Sequence, residues 1–96
     1  MLISEKDLLQ GDITLKEVIN DIFNSLDSKL LDRNQKDIML DFEKINFISV
    51  YFLERLENLV HKAKELNVRV QINNVQPNVY KVFQVARVKN ILEVCN

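Results

Sequence analysis

The order of elements along this chain predicts an α/β fold, a small and mainly parallel sheet with alternating helices. Three observations carry that expectation. Short apolar runs of strand length alternate with longer segments whose apolar residues recur at helical spacing. Such alternation implies parallel pairing with right-handed crossovers. One run, Ile38 to Phe42, is largely apolar on both faces, as a central strand of such a sheet must be.

Residues 1 to 12 read as a short strand and turn, closed by Gly11-Asp12. Thr14 to about Leu31 reads as a helix. Thr14 and Glu17 have capping-box spacing, and Leu15, Val18, Ile19, Ile22, Phe23, Leu26 and Leu30 define one buried face. A polar connection, Asp32 to Lys36, leads to the strand Ile38 to Phe42 and a tight turn at Glu43-Lys44. Ile45, Phe47 and Ile48 form a second apolar patch. Ser49 is placed to cap a helix starting near Val50, with Phe52, Leu56, Leu59, Val60 and Ala63 facing inward. Its acidic residues, Glu54 and Glu57, precede its basic ones, Lys62 and Lys64, which suits the helix dipole. Asn67 is a left-handed C-terminal cap. Val68 to Ile72 alternates as a strand. Pro77 fits the first position of a third helix, with Val75 and Tyr80 as a hydrophobic staple and Val79, Val82, Phe83 and Ala86 as its buried face. Ile91 to Val94 reads as a last short strand.

Composition narrows the function. Ninety-six residues, nearly half of them apolar, make one domain, residues 1–96, with a real core. A net charge of −1 with interspersed signs argues against a nucleic-acid binder. No apolar run approaches the roughly 18 residues that span a membrane, and the N-terminus lacks the pattern of a signal peptide. Cys95 is the single cysteine, so a reducing cytoplasm is the expected location. The single glycine excludes a phosphate-cradling loop and with it a nucleotide cofactor held that way.

The chemistry-bearing residues point to no catalysis and no metal. Asp41 stands without a second carboxylate or histidine at ligand spacing, and a strand-end aspartate commonly caps a turn. His61, beside Lys62 and four residues after Glu57, belongs to a solvated helix face. Cys95 sits next to the last residue, where a reactive pocket is rarely built. Ser49 is a candidate phosphorylation site, because a helix N-terminus favours phosphate; capping alone also explains a serine there. Tyr51 either projects as an interaction anchor or packs locally against the preceding strand.

The segment DIMLDFEKINFIS (Asp37 to Ser49), the tail VQINNVQPNVYKVFQVARVKNILEV (Val70 to Val94) and the order of elements resemble the STAS domain, the sulfate transporter and anti-sigma factor antagonist family. The resemblance covers about residues 13 to 95. Asp41-Phe42 matches the family's strand end, Phe47-Ile48 the approach to its loop, and Asn74-Val75-Gln76-Pro77 its later loop. In that family the loop continues with phenylalanine, isoleucine, aspartate, serine, serine and glycine, and in its bacterial antagonists a partner kinase that is also the anti-sigma factor phosphorylates the serine or threonine after the aspartate. Here Ser49 stands at the aspartate position and Val50, which has no hydroxyl, at the phosphoacceptor position. Tyr51 and Phe52 replace the following serine and glycine.

The resemblance implies a bacterial, cytoplasmic, non-enzymatic regulator without cofactor that binds another protein. The contact surface would comprise Lys44, Asn46, Ser49, Val50, Tyr51 and Glu54. The partner would be an anti-sigma factor kinase or another regulatory or transport component, such as a transporter ATPase. Alternatives are a role as the STAS accessory subunit of a transporter ATPase, or as a small-ligand or lipid sensor. Oligomeric state is left open.

Overall fold

The computed structural model of the chain describes residues 2–3, 15–32, 34 and 36–95. Its elements are β1 (Leu2–Ile3), α1 (Lys16–Leu30), β2 (Asp37–Asp41), α2 (Val50–Glu65), β3 (Arg69–Asn73), α3 (Pro77–Val85) and α4 (Lys89–Val94). The three strands pair in the order β1-β2-β3, both pairs parallel. The alternation of strand and helix thus gives the parallel α/β sheet expected of it. The turn expected at Gly11-Asp12 lies outside the described residues.

Register explains which side of the sheet is buried. Ile38 pairs with Val70 and Leu40 with Ile72, so all four project to one face. They are buried in a single apolar cluster with the inner faces of α1 and α2. Met39 and Gln71 share the opposite face and are half-buried. At its edge the Arg69 guanidinium Nε lies 3.4 Å from Asp37 Oδ1. β2 is therefore central in strand order, yet only one of its faces is fully covered.

α1 and α2 bury the stripes that their spacing predicts. Ile19, Ile22, Phe23, Leu26 and Leu30 are buried on α1, and Phe52, Leu56, Leu59, Val60 and Ala63 on α2. Phe52 is the hinge of the core. Its ring meets Phe23 edge-on at 5.1 Å and Phe42 edge-on at 6.2 Å, joining α1, α2 and the end of β2. The start of α1 departs from expectation. The helix begins at Lys16 with Leu15 in the cap position, where it is exposed and has no side-chain acceptor. Glu17 thus sits one residue too early for the capping box, and Thr14 lies outside the described residues.

Two of the helices, α2 and α3, end by a common device. At the end of α2, Val68 N–H donates to the Ala63 carbonyl at 2.9 Å and Asn67 N–H to that of Lys64 at 3.3 Å, with Asn67 at φ 58°. This is a Schellman motif, and it confirms Asn67 as the left-handed cap. α3 ends the same way through Arg87 at φ 57°, with Val88 N–H bonded to the Phe83 carbonyl.

The C-terminal third corrects three expectations. Ile91 to Val94 is helix, not strand: Val88, Ile91 and Leu92 repeat at helical spacing, and Val88 and Ile91 are buried. Beyond the helix, Cys95 forms one parallel bridge to Ile72. On α3 only Val79 and Phe83 are buried, while Val82 and Ala86 are exposed. A nine-residue helix at the edge of the core has room to cover it with one narrow stripe. Gln76 occupies the cap position of α3, which puts Val75 and Tyr80 at staple positions; Val75 packs on the core, but Tyr80 is exposed.

Candidate interaction surface

The loop between β2 and α2 leaves the sheet at the carboxyl end of the central strand. Its first residues continue the ladder, with Phe42 N–H donating to the Asn73 carbonyl at 2.9 Å. Asp41 then turns the chain, its Oδ1 accepting from Glu43 N–H at 3.0 Å. This is the turn-capping role expected of a strand-end aspartate. A second turn closes where Ile45 N–H donates to the Phe42 carbonyl at 3.0 Å. Ile45 and Ile48 are buried and anchor the loop from below.

Ser49 caps α2. Its Oγ accepts from Phe52 N–H at 3.1 Å, and its carbonyl accepts the first helical bond from Leu53 at 3.0 Å. One free N–H of the helix start is thereby satisfied, and the hydroxyl oxygen is engaged from the inner side. Val50, the first helical residue, is 73% exposed. Glu54, one turn on, is exposed on the same side.

Tyr51 goes elsewhere. It is half-buried, its hydroxyl donates to Asn20 Oδ1 on α1, and Lys16 Nζ lies 5.1 Å over its ring. Arg55, one turn further, donates from Nη1 to the same Asn20 oxygen at 2.9 Å and from Nη2 to Asn24 Oδ1 at 3.3 Å. Tyr51 is thus a tie between the two helices. It is not the projecting aromatic, nor does its partner lie on the preceding strand. The aromatic that projects from this loop is Phe47, 56% exposed, while Ile45 and Ile48 of the same apolar patch are buried. Nothing in the local pattern separates Phe47 from Ile45 and Ile48; the path of the loop decides it.

Of the expected surface residues, Lys44, Asn46, Val50 and Glu54 are exposed, Ser49 is half-buried beneath them, and Tyr51 turns away. A second loop borders this surface. From the β3–α3 loop and the first turn of α3, Asn74 Nδ2 donates to Asp41 Oδ1 at 3.2 Å, Gln76 Nε2 to the Glu43 carbonyl at 2.7 Å, and Asn78 Nδ2 to the Asn46 carbonyl at 2.7 Å.

The remaining candidates are placed as follows. His61 pairs with Glu65 at 2.8 Å, and not with Glu57, on an exposed face of α2. Burial pushes the Cys95 thiol up to about 11, so it stays protonated near neutral pH and is a poor nucleophile. Among the described residues no group of three or more His, Cys, Asp and Glu is placed to hold a metal, and no helix is long and apolar enough to cross a membrane. Two surface grooves of about 250 and 280 Å³ lie away from the β2–α2 loop. One is lined by Val60, Val68 and Val94, the other by Asn24, Arg55 and Lys62.

No curated protein and no solved structure matches the chain at a significant level. The family model for the STAS domain matches residues 9–96, which takes in all of α1 to α4 and the loops just described. The chain belongs to the STAS-domain family.

Proposed function

We propose that this chain is a regulatory protein–protein interaction module without enzymatic activity of its own, and that the β2–α2 loop with the first turn of α2 is its contact surface. The observation that carries this is the pair Phe47 and Val50. These apolar side chains, 56% and 73% exposed, flank the cap residue Ser49. They stand on a loop fixed below by Ile45 and Ile48 and rimmed by Lys44, Asn46 and Glu54. Apolar anchors inside a polar rim are the common composition of a recognition patch.

The partner class follows from the family resemblance: an anti-sigma factor of the kinase type. Val50 gives such a kinase no acceptor at the position where antagonists are modified. The chain would then remain in its binding-competent form unless Ser49 takes the phosphate.

The test is the affinity of wild type, Phe47→Ala and Val50→Asp for a partner recovered by pull-down. An unpaired charge placed in an apolar contact is expected to cost Val50→Asp about 2–5 kcal/mol of binding. Equal affinities for all three proteins would remove this surface from the interface.

A further inference from the structure

The β2–α2 loop is held by more than its own turns. β2 and β3 end in register, with Asp41 paired to Asn73. Beyond that pair the two loops run side by side, and the backbone ladder gives one more bond, from Phe42 N–H to the Asn73 carbonyl. From there side chains take over. Asn74 and Gln76 on the second loop and Asn78 in the first turn of α3 stand two residues apart. In the same order they donate to acceptors of Asp41, Glu43 and Asn46 along the first.

All three bonds are exposed. Water would satisfy these acceptors equally well, so relief of buried polar groups does not account for them. What three successive bonds do fix is the position of one loop on the other. Asn74 itself sits at φ 59°, a left-handed conformation that asparagine tolerates, and this turn starts the series. Pro77, in the middle of the series, limits the conformations open to the second loop.

We propose that the β3–α3 loop and the first turn of α3 form a latch for the contact loop, with the amides of Asn74, Gln76 and Asn78 as positioning residues that hold residues 41–47 in the conformation a partner engages. This rests on the function proposed above, since it assigns the preparation of that same surface. A loop held in its bound form loses less conformational freedom on association. The latch therefore acts on affinity while adding little to global stability.

The experiment separates the two ideas. Gln76→Glu and Asn78→Asp keep size and shape but replace the donating amide with a carboxylate that only accepts at neutral pH. Residue-resolved hydrogen exchange on the free protein reads the amides of Glu43 and Ile45, both hydrogen-bonded within the loop. In the double variant these two amides are expected to exchange about tenfold faster, while core amides of β2 and α2 keep their rates. A merely structural weakening would accelerate the core amides as well. Unchanged exchange at Glu43 and Ile45, or equal acceleration throughout, would overturn the latch. Affinity for the pulled-down partner is the second readout. Faster loop exchange with weakened binding supports the proposal, and faster loop exchange with unchanged affinity overturns it. In the latter case Phe47→Ala and Val50→Asp tell why: if they also bind normally, the contact surface lies elsewhere, and if they bind weakly, the surface stands but does not depend on its latch.

Discussion

Val50 and Phe52 are two residues apart on the first turn of α2, and the helix treats them oppositely. Phe52 is fully buried between Phe23 and Phe42. Val50 is 73% exposed beside the loop. Between them Tyr51 is tied to α1 through Asn20. The first turn thus has a side committed to the fold and a side that the fold does not use. An apolar residue on the unused side is the more informative of the two, because core packing does not explain it. Singly exposed valines are common on protein surfaces; here Phe47 is exposed just across the cap residue.

The largest test of this contrast is truncation on each side. Phe52→Ala removes the ring that joins three elements and is expected to lower stability by about 3–5 kcal/mol. Val50→Ala is expected to stay within about 0.5 kcal/mol of wild type, as exposed positions do. Urea unfolding of both variants measures this. Similar losses for the two would mean that the phase of α2 is wrong, and the contact surface would move with it.

The tie to α1 comes next in size. Tyr51→Phe deletes the hydroxyl that donates to Asn20 but leaves Arg55 on the same oxygen. Because the acceptor keeps a partner, the expected loss is about 0.5–1 kcal/mol. Removing Arg55 as well should cost more than the sum of the single losses, since Asn20 would then have neither donor. A double-mutant cycle with Arg55→Ala reads this coupling. Strict additivity would mean that the two donors act separately and that Tyr51 is not part of a shared seam. Partner affinity should be unaffected by Tyr51→Phe if the committed side is separate from the proposed contact side.

The same contrast shows how far the sequence alone leads. The buried stripe of α2 is legible because five core positions, from Phe52 to Ala63, repeat at helical spacing. Ser49 is legible as a cap because a hydroxyl there satisfies a helix-start N–H whatever surrounds it. Asp41 and Asn67 are legible for the same reason: each acts within two or three residues of itself. What fails is anything decided by distant partners. The segment after Val88 has a composition that suits strand or helix, and packing against α2 and β3 settles it as helix. That Phe47 is exposed and Tyr51 is tied to α1 is not legible, because the loop's path and the position of Asn20 are tertiary facts. The amides of Asn74, Gln76 and Asn78 carry no local signal at all, since their acceptors lie about thirty residues away and are aligned only by the register of β2 with β3.

The smallest expected effect sharpens the boundary between the two sides. Ser49 stands on it, since its oxygen faces inward to cap Phe52 N–H while its position borders Val50 and Phe47. Ser49→Ala loses the cap and should cost about 1 kcal/mol of stability. Aspartate is as good a cap as serine and suits the positive end of the helix dipole. Ser49→Asp should therefore change stability by no more than a few tenths of a kcal/mol. Yet it places a negative charge where a phosphate on Ser49 would sit. Stability and affinity are thus uncoupled in one variant. If Ser49→Asp unfolds like wild type in urea but binds the partner more weakly, position 49 faces the interface, and charge there is the means by which a kinase would act on this chain. If it folds and binds like wild type, Ser49 belongs wholly to the committed side, and the contact surface is Phe47, Val50 and their rim without it. If it loses as much stability as Ser49→Ala, the cap geometry does not admit the longer side chain and the helix start is more tightly constrained than a simple capping bond requires.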